Sequence, residues 1–86
     1  MVVKHIPLPD NERMVKNISI KLGENIRALR IKRKLTQEEL ADKAGISTKY
    51  LQNLESKNPK NASVVTLEKL AKGLEIPIWE ILKIKD

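Results

Sequence analysis

The chain has 86 residues, enough for one domain and too few for two, and its 17 Lys and Arg against 11 Asp and Glu give a net charge of +6. With no cysteine, one histidine (His5) and two aromatics (Tyr50 and Trp79), it offers no disulfide framework, no thiolate or His-rich metal site and no base-stacking platform. No apolar run approaches the roughly 20 residues of a membrane span, and Lys4, Pro7, Pro9 and Asp10 interrupt the apolar start that a signal peptide would need; a soluble cytoplasmic domain without cofactor is the expectation.

Residues 1–9 carry two prolines and read as an arm. Asp10 is placed to cap a short helix over Glu12–Ile18, and a second helix runs from Ser19 or Gly23 to Lys34, with Leu22, Ile26 and Leu29 on one face. Gly23 either divides this stretch into two helices or only weakens one. Residues 1–35 hold nine bases and three acids, whereas residues 36–86 hold eight of each, so the whole basic excess sits at the front. That block suits a polyanionic partner, and equally a solvated helix face.

Thr36 and Glu39 have the spacing of a capping box, in which the hydroxyl accepts from an orphan amide while the carboxylate reaches back. The helix they open ends at Gly45, a residue suited to the left-handed conformation after a C-terminus. Ser47 then caps a helix to about Glu55, and residues 56–62 form a polar loop. Ser63 caps a fourth helix with Val64, Leu67, Leu70, Ala71 and Leu74 on one face, ending around Gly73–Glu75. Pro77, at a first-helical position, opens a last helix to about Lys83. No period-2 alternation is long enough for a strand, so the fold class is all-α.

The stretch Gln37 to Lys57 is the most informative. Two helices crossing through a turn of three or four residues need a small residue at the approach, a residue tolerant of positive φ in the turn, and apolar anchors on one side of the second helix. Ala41, Gly45 and the pair Leu51 and Leu54 meet those needs. Ser47, Thr48, Lys49, Gln52 and Asn53 are then left on the outer side, as short polar or basic groups able to reach base edges and phosphates. An ordinary αα-corner with a polar outer face would have the same spacing.

The run Leu22-Gly-Glu-Asn-Ile-Arg-Ala-Leu-Arg, followed by Leu35-Thr-Gln-Glu-Glu-Leu-Ala-Asp-Lys-Ala-Gly-Ile-Ser, Tyr50-Leu-Gln-Asn-Leu-Glu and Thr66-Leu-Glu-Lys-Leu-Ala-Lys-Gly-Leu, resembles the Cro/CI (XRE-type) helix-turn-helix family over about residues 20–83. Within it the chain is most similar to small stand-alone restriction–modification controller proteins. The resemblance implies a compact five-helix, lambda-repressor-like domain over residues 20–86 that binds double-stranded DNA as a symmetric dimer, preceded by an arm or short helix over residues 1–19. It also implies a transcriptional regulator acting on a near-palindromic operator and controlling its own operon.

Carried over position by position, the resemblance places Thr48, Lys49, Gln52 and Asn53 at base-contacting positions. Arg33, Lys34, Gln37, Ser47, Tyr50, Asn58, Lys60 and Asn61 fall at phosphate-contacting ones, and half-buried packing is the other role open to Tyr50. Lys57 stands where a Gly often ends the recognition helix, and the loop runs one or two residues long against that pattern.

Leu40, Leu54, Leu67, Leu70, Leu74, Ile76 and Leu82 are assigned to the core, which leaves Val65, Ile78, Trp79 and Ile84 as a surplus apolar cluster. In the family the last helices pair across a two-fold axis, so this cluster is the expected homodimer interface; Trp79 closing the core against the arm is the alternative. Two other functions use the same frame, an antitoxin of a toxin–antitoxin pair and a protein-bridging module. An enzyme is the least supported class, since the chain lacks Cys, a Gly-rich phosphate loop and a recognisable carboxylate pair. Neither a membrane nor a small-molecule effector is indicated.

Overall fold

A computed structural model of the protein describes residues 11–84, with side chains from residue 17. Among these residues five helices follow in order: α1 (Asn11–Lys32), α2 (Gln37–Ala44), α3 (Thr48–Leu54), α4 (Val64–Leu74) and α5 (Ile78–Leu82). The class is all-α, as the apolar spacing requires. The proline-containing arm and the Asp10 cap lie outside the described residues.

The stretch around Gly23 is one helix, not two. α1 runs unbroken through it, so the boundary between residues 19 and 20 falls inside a continuous element. Gly23 is there because α1 meets the main chain of Leu54 at that point: a Cβ would land on the Leu54 carbonyl oxygen. The residue is set by close approach of two backbones rather than by a turn.

Local chemistry fixes the ends of the next helices. Thr36 Oγ1 accepts from the Glu39 amide at 3.0 Å, and Glu39 Oε1 accepts from the Thr36 amide at 2.8 Å, which completes the capping box. Hydrogen bonds from the Thr36 backbone and then its side chain hold the Glu39 carboxyl below its ordinary pKa. Ser47 and Ser63 accept from the amides three residues ahead and start α3 and α4.

Three helices leave by the same exit. Lys34, Gly45 and Glu75 adopt left-handed backbone at φ 58°, 72° and 59°. In each case the following residue donates back five positions, Leu35 to Arg30, Ile46 to Ala41 and Ile76 to Ala71. This is the Schellman arrangement, and its apolar partner residue is supplied by Leu35, Ile46 and Ile76, all packed against the core.

The largest fully buried side chains are Ile26, Leu40, Leu51, Leu70, Leu74 and Ile81, drawn from every helix; each contributes roughly 1.5–3 kcal/mol of hydrophobic stabilisation. α2 lies closest on α4, where Gly73 faces the Ala44 backbone and the Leu40 side chain. The C-terminal register corrects the sequence assignment: Ile81 is fully buried and Leu82 is 48% exposed. Pro77 is the extended residue before α5 rather than its first helical one, which sets Ile78 and Ile81 inward three apart and turns Trp79 and Leu82 outward. Asn25 Nδ2 on α1 donates to the Glu80 and Ile81 carbonyls at 3.0 and 2.6 Å, satisfying acceptors that so short a helix leaves open.

Candidate nucleic-acid interface

α3 is two turns long, too short to be stable on propensity alone, so its orientation comes from what it touches. Leu51 and Leu54 are buried in the core, and Lys49 and Gln52 are exposed on the opposite side, with Thr48 half-buried at the start. The three-residue turn Gly45–Ile46–Ser47 sets its beginning: the left-handed glycine reverses the chain, Ile46 packs inward, and Ser47 caps the helix.

Its far end is fixed by a polar cluster. Glu55, the residue after α3, has a side chain only 2% exposed and forms a two-pronged ion pair with Arg30 of α1 (Arg30 Nε to Glu55 Oε2 and Arg30 Nη2 to Glu55 Oε1, both 2.9 Å). Gln37 Nε2 donates to Glu55 Oε1 at 3.0 Å, and Arg30 Nη1 donates to the Leu35 carbonyl at 2.8 Å. The carboxylate and the guanidinium thus satisfy one another in the parallel-fork geometry favoured for such pairs, and they tie α3 to α1 and to the start of α2. Reading the sequence missed this cluster. Its one trace is Glu55 at four residues past Leu51, an acid on the inward side of an apolar stripe.

The remaining expected contacts divide by what they already hold. Lys34, Lys49, Gln52, Asn58 and Lys60 are exposed. Arg30 in the last turn of α1 is committed to Glu55, and Gln37 is half-buried with its amide on the same carboxylate. Arg33 Nη2 donates to the Glu75 carbonyl at 3.3 Å, towards the end of α4. The Tyr50 ring is half-buried, with its hydroxyl 3.5 Å from Thr66 Oγ1. Asn53 and Asn61 carry hydrogen bonds that tie the loop after α3 to helices: Asn53 Oδ1 on α3 accepts from the Lys60 amide, and Asn61 Oδ1 accepts from the Ser19 hydroxyl on α1.

Val65 on α4 and Trp79 on α5 are 63% and 58% exposed, and Leu82 of α5 is exposed as well. Ile78 and Ile84 are half-buried, and Ile78 packs against the core. Among the described residues no three of His, Cys, Asp and Glu are placed to share a metal ion, and no helix is long and apolar enough to cross a membrane.

This arrangement has counterparts in known proteins. A helix-turn-helix family profile matches residues 26–80. The chain is 43% identical over 61 residues to the immunity repressor protein of Bacillus phage phi105, a match that takes in 71% of this chain and only 42% of the repressor. It is 33% identical over 75 residues to control protein C.SmaI of Serratia marcescens, covering 87% of this chain and 88% of that one. Among solved structures, C.Esp1396I bound to a 19 base pair DNA duplex superposes with a TM-score of 0.70 at 29% identity, over 77% of this chain and 87% of the other. The chain belongs to the helix-turn-helix family of the Cro/CI (XRE) type.

Proposed function

We propose that the protein is a sequence-specific, double-stranded-DNA-binding transcriptional regulator without catalytic activity, which engages a near-palindromic operator as a homodimer and controls its own operon in the manner of a restriction–modification controller. The observation that carries this reading is the outer face of α3. Lys49 and Gln52 stand exposed, with Thr48 half-buried at the start, on a helix pinned at both ends, in a chain similar to a controller described as bound to a DNA duplex.

The chemistry of that face suits a major groove. A lysine ammonium donates to guanine O6 or N7, and a glutamine amide pairs with adenine N6 and N7. Lys34, Ser47, Asn58 and Lys60 are exposed and can donate to phosphate oxygens, contacts that position a protein without reading sequence. Arg33, Gln37, Tyr50 and Asn61 belong to the same contact zone, and of these Gln37 and Tyr50 are half-buried, bonded to Glu55 and Thr66.

Val65, Trp79 and Leu82, with the half-buried Ile78 and Ile84, offer the apolar face for a two-fold partner. Such a dimer would set two copies of α3 about 34–36 Å apart, one turn of duplex.

Lys49→Ala tests the base-reading role. Fluorescence anisotropy against a duplex enriched from a randomised pool, and against its single base-pair variants, is expected to show a loss of about 1–3 kcal/mol with preference relaxed at one position. An equal loss on every duplex would make Lys49 a phosphate contact instead. Trp79→Ala tests the interface: sedimentation at low concentration should shift from dimer to monomer with the monomer's fold unchanged, since the indole is mostly in solvent. An unaltered mass would place the interface elsewhere.

A further inference from the structure

The loop from Ser56 to Ser63 has no helical ladder of its own, so its path is set by the side chains and main-chain groups it bonds to. The Lys60 amide finds one on α3: it donates to Asn53 Oδ1 at 2.8 Å. One residue further, Asn61 Oδ1 accepts at 2.8 Å from the hydroxyl of Ser19, which is buried on α1. The Asn53 carbonyl also takes Ser56, through both its amide at 3.0 Å and its hydroxyl at 2.6 Å. Two adjacent loop residues are thus clamped to two different helices, and Asn53 is the hinge between α3 and the loop.

This bears on what Asn53 can do. A backbone N–H can only donate, so the atom facing Lys60 is the carboxamide oxygen, and the NH2 points away from it. Bidentate recognition of adenine needs both atoms of the carboxamide aimed at one base edge, and here the oxygen is turned back into the protein.

We propose that Asn53 is a positioning residue that reads no base: it holds the loop so that the Lys60 ammonium and the Asn61 amide meet the duplex backbone. The assignment rests on the DNA-binding reading above. It replaces the base-contacting role expected from the position of Asn53 on the recognition helix.

Three measurements on the full chain separate the possibilities: amide hydrogen exchange at Lys60, affinity for the pool-selected duplex and for a scrambled one, and the salt dependence of both affinities. In Asn53→Ala the Lys60 amide should exchange at least about tenfold faster, in keeping with lost local protection. Affinity should fall by the same factor for both duplexes, and the slope of log K against log salt should shrink by about 0.9, the loss of one phosphate contact. Asn53→Asp, which keeps an oxygen for the Lys60 amide, should retain the slow exchange.

A preference relaxed at one base pair with an unchanged salt slope would make Asn53 a base reader and overturn the proposal. Unchanged affinity and slope would overturn it too, by reducing the bond to a structural one. If the unaltered protein bound both duplexes weakly and equally, the regulatory reading would fall and this role with it, while the Lys60 exchange rate would still report the clamp.

Discussion

Glu55→Ala is expected to lower the stability of the fold by about 3–5 kcal/mol, the cost of stranding one partner of a buried ion pair. The carboxylate accepts from Arg30 Nε and Nη2 and from Gln37 Nε2, and its side chain is 2% exposed against 12% for Arg30. Removing it leaves a guanidinium largely out of water with only the Leu35 carbonyl as partner. Chemical denaturation should show the full loss in Glu55→Ala, and the double variant Arg30→Leu with Glu55→Leu should recover part of it, because two apolar groups have no charge left to strand. A loss under about 1 kcal/mol, typical of exposed pairs, would mean the pair does not hold α3. DNA affinity should fall along with stability, since the same contacts aim the outer face of α3.

Gly23→Ala is the second large effect, and its sign is the informative part. In an exposed helix the change from Gly to Ala stabilises by about 1 kcal/mol. At Gly23 the new methyl would meet the Leu54 carbonyl oxygen, a main-chain atom that cannot swing aside. α1 would have to move off α3, straining the Arg30–Glu55 pair two turns along α1, and the expected outcome is a destabilisation on the order of 3 kcal/mol, the upper end of overpacking. For a domain of this size that lowers Tm by roughly 12–24 °C, at about 4–8 °C per kcal/mol. A melting temperature equal to or above that of the unaltered protein would contradict the close approach. Gly73 is a milder case: a Cβ there meets the Ala44 amide nitrogen at 3.1 Å and Leu40 Cδ1 at 3.2 Å, tight contacts that call for a shift of only a few tenths of an ångström.

These two positions also mark what the sequence does and does not disclose. The elements set by local chemistry are legible in it: Thr36 with Glu39, Ser47 and Ser63 announce helix starts, Gly45 announces a turn, and Leu51 with Leu54 fix which side of α3 stays outside. Features that depend on a distant neighbour are not. Gly23 looks like a possible break until the Leu54 carbonyl is in place, and Arg30 looks like one more surface base until Glu55 arrives 25 residues later. Lys34 and Glu75 take the left-handed conformation with no glycine to signal it, because Leu35 and Ile76 are drawn into the core behind them.

The exchange of Leu82 for Ile81 has a similar origin. In a five-residue helix the apolar spacing alone admits either register, and the position of Pro77 decides it. The site divides along the same line. Lys49 and Gln52 follow from the two leucines behind them, whereas the partner of Asn53 lies across an irregular loop whose path no periodicity predicts.

Sequence reading by the outer face of α3 is tested most directly by an anisotropy titration of the unaltered protein on the pool-selected duplex and on a scrambled one, at two salt concentrations. The expected result is a preference of at least about 10³ for the selected duplex, with affinity for both falling steeply as salt rises. Weak and equal binding to the two duplexes would contradict sequence reading and turn attention to a protein partner for the same face.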